Sequence, residues 1–256
     1  MHALRKKFFW LRMATAMIPL ATVGVSNAAE AQVAVAANFA EPIKAIAAVL
    51  EKTTGHTIQV TLGSTGKLYA QIKNGAPFDV LLAANTQTPE ALEKDRLAQP
   101  GSRFTYATGK LVLWSADVAR VDAKGEVLKS PGLRKVAYAA PKVAPYGAAA
   151  VEAMDKLGLT ASLTPKLVQG ESIGQTFNFA YTGNADVAFV AMSQVLEGGK
   201  LKSGSMWVVP QTLYSPIRQD AVVLQKAASN EAAQALIKLL KSPKIRDLIR
   251  SYGYDV

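Results

Sequence analysis

The sequence predicts an α/β fold with a largely parallel sheet, arranged as two similar halves. Three observations carry that expectation. Short apolar runs of strand length alternate with amphipathic runs of helical period. Small or polar residues and glycines stand where strand gives way to helix. A short pattern also recurs: Ser64-Thr65-Gly66, then Gly75, then Asp79-Val80 is echoed by Ser172-Ile173-Gly174, Gly183 and Asp186-Val187, 108 residues further on at the first motif.

The elements follow in order. Gln32 to Ala37 reads as a short buried strand. Asn38 stands where a helix N-cap is expected, and from Phe39 to Lys52 the residues Ile43, Ile46, Ala47 and Leu50 recur on one helical face. His56 to Leu62 alternates as a second strand, Lys67 to Asn74 is helical, and Asp79 to Ala84 is a third, buried strand. Lys110 to Ser115, Lys135 to Ala139 and Asp186 to Met192 are strand-like; Gly147 to Leu157 is helical. Met206 to Pro210 and Ala221 to Gln225 read as edge or connecting strands, and Glu231 to Lys241 and Pro243 to Tyr252 as closing helices.

Residues 1–28 stand apart as a secretory signal peptide. Arg5, Lys6, Lys7 and Arg12 form a basic head, the 13 residues Met13 to Val25 carry no charge, and small residues follow at alternate positions. The mature chain is then an exported protein. Removing these four basic residues, and no acidic ones, lowers the formal charge from +10 to +6. Such a chain attracts anions or acidic surfaces. No Lys/Arg block is interleaved with aromatics, which speaks against nucleic acid.

Inventory narrows the chemistry further. Cysteine is absent, so disulfides, thiol nucleophiles and cysteine metal sites are excluded together. Of two histidines, His2 lies in the leader and His56 reads as an exposed loop residue, leaving no basis for a Ser-His-Asp triad or a histidine zinc site. The expectation is a protein that is not an enzyme and has no cofactor; an exported enzyme is the rival of a different class.

The run GSTGKL from Gly63 invites comparison with the phosphate cradle of nucleotide hydrolases, and fails it. Leu68 follows Gly66-Lys67 where a hydroxyl is needed for magnesium, and Thr61 stands where the first glycine belongs. The underlying physics survives, because a helix start presents unpaired N–H groups and a dipole that favours negative charge. Four such junctions carry small or polar residues: Ala37-Asn38, Ser64-Thr65-Gly66, Pro145-Tyr146-Gly147 and Ser172-Ile173-Gly174. Facing lobes would bring all four together, with the Asn38 amide, the Ser64 or Thr65 hydroxyl and the Tyr146 hydroxyl as side-chain donors. None is charged. A site of donors alone suits a fully deprotonated tetrahedral dianion, whereas monoprotonated phosphate needs an acceptor. Asn38, Ser64 and Ser172 also have a plainer reading as helix caps, Tyr146 as a core aromatic, Lys67 as a solvated helix residue, Trp114 as packing, and Asp79 and Asp186 as partners for loop amides.

The run VAVAANFAEPIKAIAAVLEKTTGHTIQVTLGSTGKLYAQIKNGAPFDVLLAAN, with APKVAPYGAAAVEAMDKLG and SPKIRDLIRSYGY, resembles the periplasmic molybdate-binding proteins of ABC transporters. The resemblance implies the type II periplasmic-binding-protein fold, two α/β lobes joined by two crossover strands around an oxyanion cleft. It implies lobe 1 over 29–109 and 215–256 and lobe 2 over 110–214. By position it implies ligand roles for Asn38, Thr65 (Ser64 on a one-residue slip), Tyr146 and Ile173. A fifth position, tyrosine in some members, is Ala191 here. The implied ligand is molybdate, with tungstate, held through its oxygens with no direct protein–metal bond. The implied partner is a membrane permease, and the implied state a periplasmic monomer. Another small anion, sulfate or a carboxylate, is the nearest alternative.

Overall fold

The computed structural model describes residues 28–256. The expected signal peptide, residues 1–28, lies outside the described residues but for its last position. Two five-stranded sheets organise the chain. The first begins with β1 (Glu30–Ala36), which leads through a tight turn at Ala37–Phe39 into α1 (Ala40–Thr54). Gly55 ends that helix at φ 75°, donating its N–H to the Glu51 carbonyl, a position an L side chain rarely adopts. Then come β2 (Thr57–Gly63), α2 (Thr65–Lys73), β3 (Val80–Leu82), α3 (Gln87–Lys94) and β4 (Phe104–Gly109).

The second sheet takes over at β5 (Leu111–Ser115). It continues through β6 (Val136–Ala139), α4 (Pro145–Lys156), the short α5 (Thr160–Leu163), β7 (Leu167–Gly170), α6 (Ile173–Tyr181) and β8 (Val187–Ala191). After α7 (Met192–Val195), a small hairpin of β9 (Leu196–Glu197) and β10 (Lys200–Leu201) precedes the edge strand β11 (Ser205–Val208). The chain then returns to the first sheet as β12 (Ile217–Val223) and closes with α8 (Glu231–Leu240) and α9 (Pro243–Ser251).

The strand orders are β2-β1-β3-β12-β4 and β7-β6-β8-β5-β11. In each, three parallel strands lie second-first-third, with antiparallel strands alongside. The registers repeat as well: Val33 pairs with Val80, and Val136 with Val187. The two aspartates of the recurring pattern do the same work in each half. Asp79 accepts from the Gln32 N–H at 2.6 Å, and Asp186 from those of Arg134 and Lys135 at 2.8 and 2.9 Å. Each tethers the start of the strand that lies between the other two parallel strands, β1 in one sheet and β6 in the other.

Both sheets are covered on two faces, as a parallel sheet requires. In the first, Val33 and Val35 pack with Ile43, Ile46 and Leu50 of α1 and with Leu236 and Ile249, while Ala34 and Leu81 face Leu68 and Leu92. In the second, Leu111, Leu113 and Phe189 join Tyr146 and Ala150 of α4, while Val112 and Trp114 face the α6 side. The alternation is the period of two that a strand imposes. Truncating fully buried Ile43, Ile46 or Leu50 to alanine costs about 2–5 kcal/mol each.

Several sequence expectations shift. Asn38 is not an N-cap; it sits inside the turn that β1 runs into, and Ala36 precedes that turn. His56 is buried, its Nδ1 accepting from the Ala29 N–H at 3.1 Å. β4, α3 and β7 have no counterpart in the elements read from sequence, and β12 starts at Ile217 rather than Ala221. Trp114 is packing, stacked on Phe177 with its Nε1 donating to the Ser203 carbonyl.

Candidate functional site

The carboxyl ends of β1, β2 and β7 run within two residues into a helix, and that of β6 reaches α4 through the loop 140–144; the four junctions meet at the seam between the lobes. The seam is closed. Gly66 N–H donates to the Val143 carbonyl at 2.9 Å, and Ser193 Oγ to the Asn38 carbonyl at 2.7 Å. At the rim, Lys67 Nζ meets Glu171 Oε2 at 2.5 Å. That ion pair joins two exposed side chains, so Lys67 is a surface residue, yet it bridges the lobes. Solvent clefts flank the seam. One of about 730 Å³ is lined by Gly66, Ala84, Val143, Pro145 and Arg218, and one of about 460 Å³ by Ala37, Gly63, Ser172 and Ser193.

Asn38, Ser64, Thr65, Tyr146 and Ile173 lie at this seam, in differing chemical states. Ser64 precedes α2 but makes no side-chain cap; it is 4% exposed and its Oγ is buried without a hydrogen-bond partner. Thr65 Oγ1 accepts from the Ala84 N–H at 3.0 Å, leaving its own proton uncommitted. Ile173 opens α6, where Ser172 caps the helix by accepting from the Gln175 N–H at 3.2 Å. The Ile173 carbonyl accepts from Gln194 Nε2, whose Oε1 in turn takes the Ala191 N–H, so Ala191 belongs to the wall with no hydroxyl to offer.

Asn38 departs from expectation. Both hydrogens of its amide are spent inside the protein, on Gln219 Oε1 at 2.8 Å and Tyr254 Oη at 2.9 Å. What remains at that junction is backbone N–H at the start of a helix. Tyr146 sits in the first turn of α4 behind Pro145, and its Oη accepts from Gln219 Nε2 at 3.0 Å. Gly109 makes room for that pair: a β-carbon there would lie 1.9 Å from Tyr146 Oη and 2.6 Å from Gln219 Nε2.

Sequence reading missed the buried scaffold behind these groups. Gln219 is wholly buried on β12; Tyr106 Oη donates toward Gln219 Oε1 at 3.1 Å and the Ala83 carbonyl at 3.2 Å. Tyr254 Oη lies 2.9 Å from Ser193 Oγ and 3.0 Å from the Asn38 carbonyl. Phe104, Tyr106 and a polar Thr105 between them carried the alternation that would have revealed β4. Nothing local marks Gln219 or Tyr254.

The network is free of ionised groups. Asp220, next to Gln219, turns instead to Arg103 at 3.0 Å and Thr105 Oγ1 at 2.6 Å. Burial pushes the Tyr106 and Tyr146 hydroxyls well above the ordinary tyrosine value, and Tyr254 up to about 12. All three therefore keep their protons at physiological pH. Among the described residues no group of three His, Asp or Glu could hold a metal ion.

Two α/β lobes sealed over uncharged hydrogen-bond donors are the hallmark of a solute-binding protein, one that closes around a small ligand and performs no chemistry on it. The profile of the bacterial extracellular solute-binding protein family matches residues 31–255. The chain is 56% identical over 231 residues to the molybdate-binding protein ModA of Azotobacter vinelandii, covering 90% of this chain and 92% of that one. It is 55% identical to ModA of Rhodobacter capsulatus, covering 89% and 88%. The solved periplasmic molybdate-binding protein of Azotobacter vinelandii superposes with a TM-score of 0.85 at 40% identity, over 88% of this chain and 99% of that one. The chain belongs to the bacterial extracellular solute-binding proteins, within the group of the molybdate-binding proteins ModA.

Proposed function

We propose that this protein captures molybdate, and tungstate with it, in the periplasm and hands it to the membrane permease of an ABC transporter. Relatives named for molybdate binding, at 56% and 55% identity, support the ligand. The observation that carries the reading at the level of atoms is the Ser64 hydroxyl, buried at the lobe seam with no partner. A buried, unpaired polar group costs about 1–3 kcal/mol, and a charged oxygen placed beside it recovers that cost. On this reading Ser64 is the second hydroxyl donor, with Thr65 beside it. Tyr146 donates from the other lobe, Ile173 gives a backbone N–H, and Asn38 contributes its backbone while its amide serves the scaffold.

The donors are neutral, and the ligand keeps its full charge. Several charge-assisted hydrogen bonds, each net about 1.5–3 kcal/mol, offset the loss of its water. Lobe 1 comprises 29–109 and 215–256 and lobe 2 comprises 110–214. Residues 1–28 direct export and are removed, and the protein acts as a monomer. Calorimetry of the mature chain with molybdate, tungstate, sulfate and phosphate tests the proposal. The expected order is molybdate and tungstate tight, sulfate weaker, phosphate weakest. Equal heats for sulfate and molybdate, or no heat with any of them, would remove it.

A further inference from the structure

Gln219 lies at the centre of the buried network, and with the two amides oriented as they stand each hydrogen bond around it has one direction. The Asn38 carbonyl can only accept, and it takes hydroxyl protons from the Ser193 and Tyr254 side. With its proton committed there, Tyr254 Oη must accept from Asn38 Nδ2. The second hydrogen of that nitrogen goes to Gln219 Oε1, which also receives the Tyr106 hydroxyl. The oxygen of the Gln219 amide is thereby fixed on the Asn38 side, so its nitrogen faces Tyr146. Tyr146 Oη accepts from that nitrogen, so its single proton is not spent on Gln219.

We propose that Gln219 is a positioning residue that fixes Tyr146 as a proton donor to the ligand, and so makes the site reject tetrahedral anions that carry a proton of their own. The inference rests on the reading of Tyr146 as a ligand donor. An amide nitrogen cannot accept, so the Tyr146 proton finds no acceptor on Gln219, and the hydroxyl faces the ligand as a donor. A monoprotonated anion such as hydrogen phosphate would then press its own O–H against a donor, while molybdate, which only accepts, meets none. The effect is separate from size and complements it.

Gln219→Glu tests this because the introduced carboxyl reverses its role with pH. Protonated, it donates to Tyr146 Oη as the amide does; ionised, it can only accept, and the Tyr146 proton swings inward. The groups facing this position are Tyr106 from β4, Tyr146 from α4, Tyr254 from the C-terminal segment and the neutral Asn38; of the flanking charged residues, Arg218 is exposed and Asp220 is paired with Arg103. Burial raises all three tyrosines, so none of them titrates between about pH 6 and 9.

Molybdate and inorganic phosphate are titrated calorimetrically across that range into wild type, Gln219→Glu, Tyr146→Phe and the double variant. Wild-type molybdate affinity is expected to be flat; phosphate takes on its second charge within this range, so each variant's anion ratio is compared with that of wild type at the same pH. Gln219→Glu should lose molybdate affinity by about 10- to 100-fold as pH rises, one charge-assisted bond's worth, while its molybdate-to-phosphate ratio falls at least about tenfold. Simple repulsion between carboxylate and dianion would weaken both anions alike and would persist without the Tyr146 hydroxyl. In the Tyr146→Phe background the fall in the ratio should therefore vanish. A pH profile parallel to wild type, an unchanged anion ratio, or the same change in the double variant overturns the inference and leaves the proposed function standing. Wild-type molybdate affinity in Tyr146→Phe removes the premise instead. Should Gln219→Glu not fold, Asn38→Asp probes the same chain: its carboxylate would take Gln219 Nε2 and turn Oε1 toward Tyr146. The same fall in the molybdate-to-phosphate ratio is expected, and an unchanged ratio overturns the proposal.

Discussion

Replacing Ser64 by alanine should move affinity and stability in opposite directions. In the closed form the Ser64 hydroxyl is buried with no protein partner, a state that costs about 1–3 kcal/mol wherever the lobes close without ligand. Alanine removes the orphan group and leaves a gap of one oxygen atom. The net expectation is a gain of about 1 kcal/mol, which for a chain of this size raises Tm by about 2–4 °C. With molybdate the same hydroxyl supplies a hydrogen bond to a charged oxygen, net about 1.5–3 kcal/mol, so the variant should bind about 10- to 150-fold more weakly. Thr65→Ala is the contrast. Its Oγ1 holds the buried Ala84 N–H, and losing it should destabilise the ligand-free protein by about 1–3 kcal/mol. Thermal melts without ligand and calorimetry with molybdate read both quantities. Unchanged molybdate affinity in Ser64→Ala, or a drop in Tm as large as that of Thr65→Ala, would refute the assignment of Ser64 as the free donor.

Three other outcomes are expected. Lys67→Gln should change molybdate affinity by no more than about threefold, since the Lys67–Glu171 pair is exposed at the rim; a larger loss in calorimetry would place the lysine on the ligand and contradict a neutral site. Gly109→Ala should weaken molybdate binding at least about tenfold, because the added carbon occupies the place of the Tyr146 hydroxyl and its Gln219 partner; wild-type affinity would show that their contact is dispensable. Thermal melts toward alkaline pH should hold level up to about pH 10 and then fall. Burial raises the tyrosines' folded pKa, so the neutral form stabilises the fold below the ordinary value near 10, and that contribution is lost as pH climbs through the raised one, about 12 for Tyr254. A decline beginning near neutrality would argue that other groups govern the curve.

The alternation of elements was readable because each strand and helix states its period locally. Val33 and Val35 against Ala34, or Ile43, Ile46 and Leu50, need no partner to be recognised. The four strand-to-helix junctions were readable for the same reason, and the structure brings them to one seam. The chemical state of each side chain was not. Ser64 and Ser172 occupy matching places ahead of helices, yet Ser172 caps and Ser64 does not, which depends on what packs around them. The Asn38 amide looked like a donor for the ligand. It is consumed by Gln219 and Tyr254, residues 181 and 216 positions away, and no spacing rule reaches that far. β4 escaped notice because its buried Tyr106 and Ala107 sit among threonines and glycine, a composition that also suits a loop.

The matched strand orders of the two sheets carry a consequence for shape. Asn38 follows β1 as Tyr146 follows β6, and Ser64 follows β2 as Ile173 follows β7, so the proposed contacts come as two from each lobe. A tetrahedron has twofold axes that divide its four corners two and two, one pair for each jaw. A flat trigonal anion such as nitrate or carbonate divides two and one, and leaves a jaw half empty. Two lobes of matching strand order, each offering two contacts, would thus screen ligands by geometry before radius or charge is consulted.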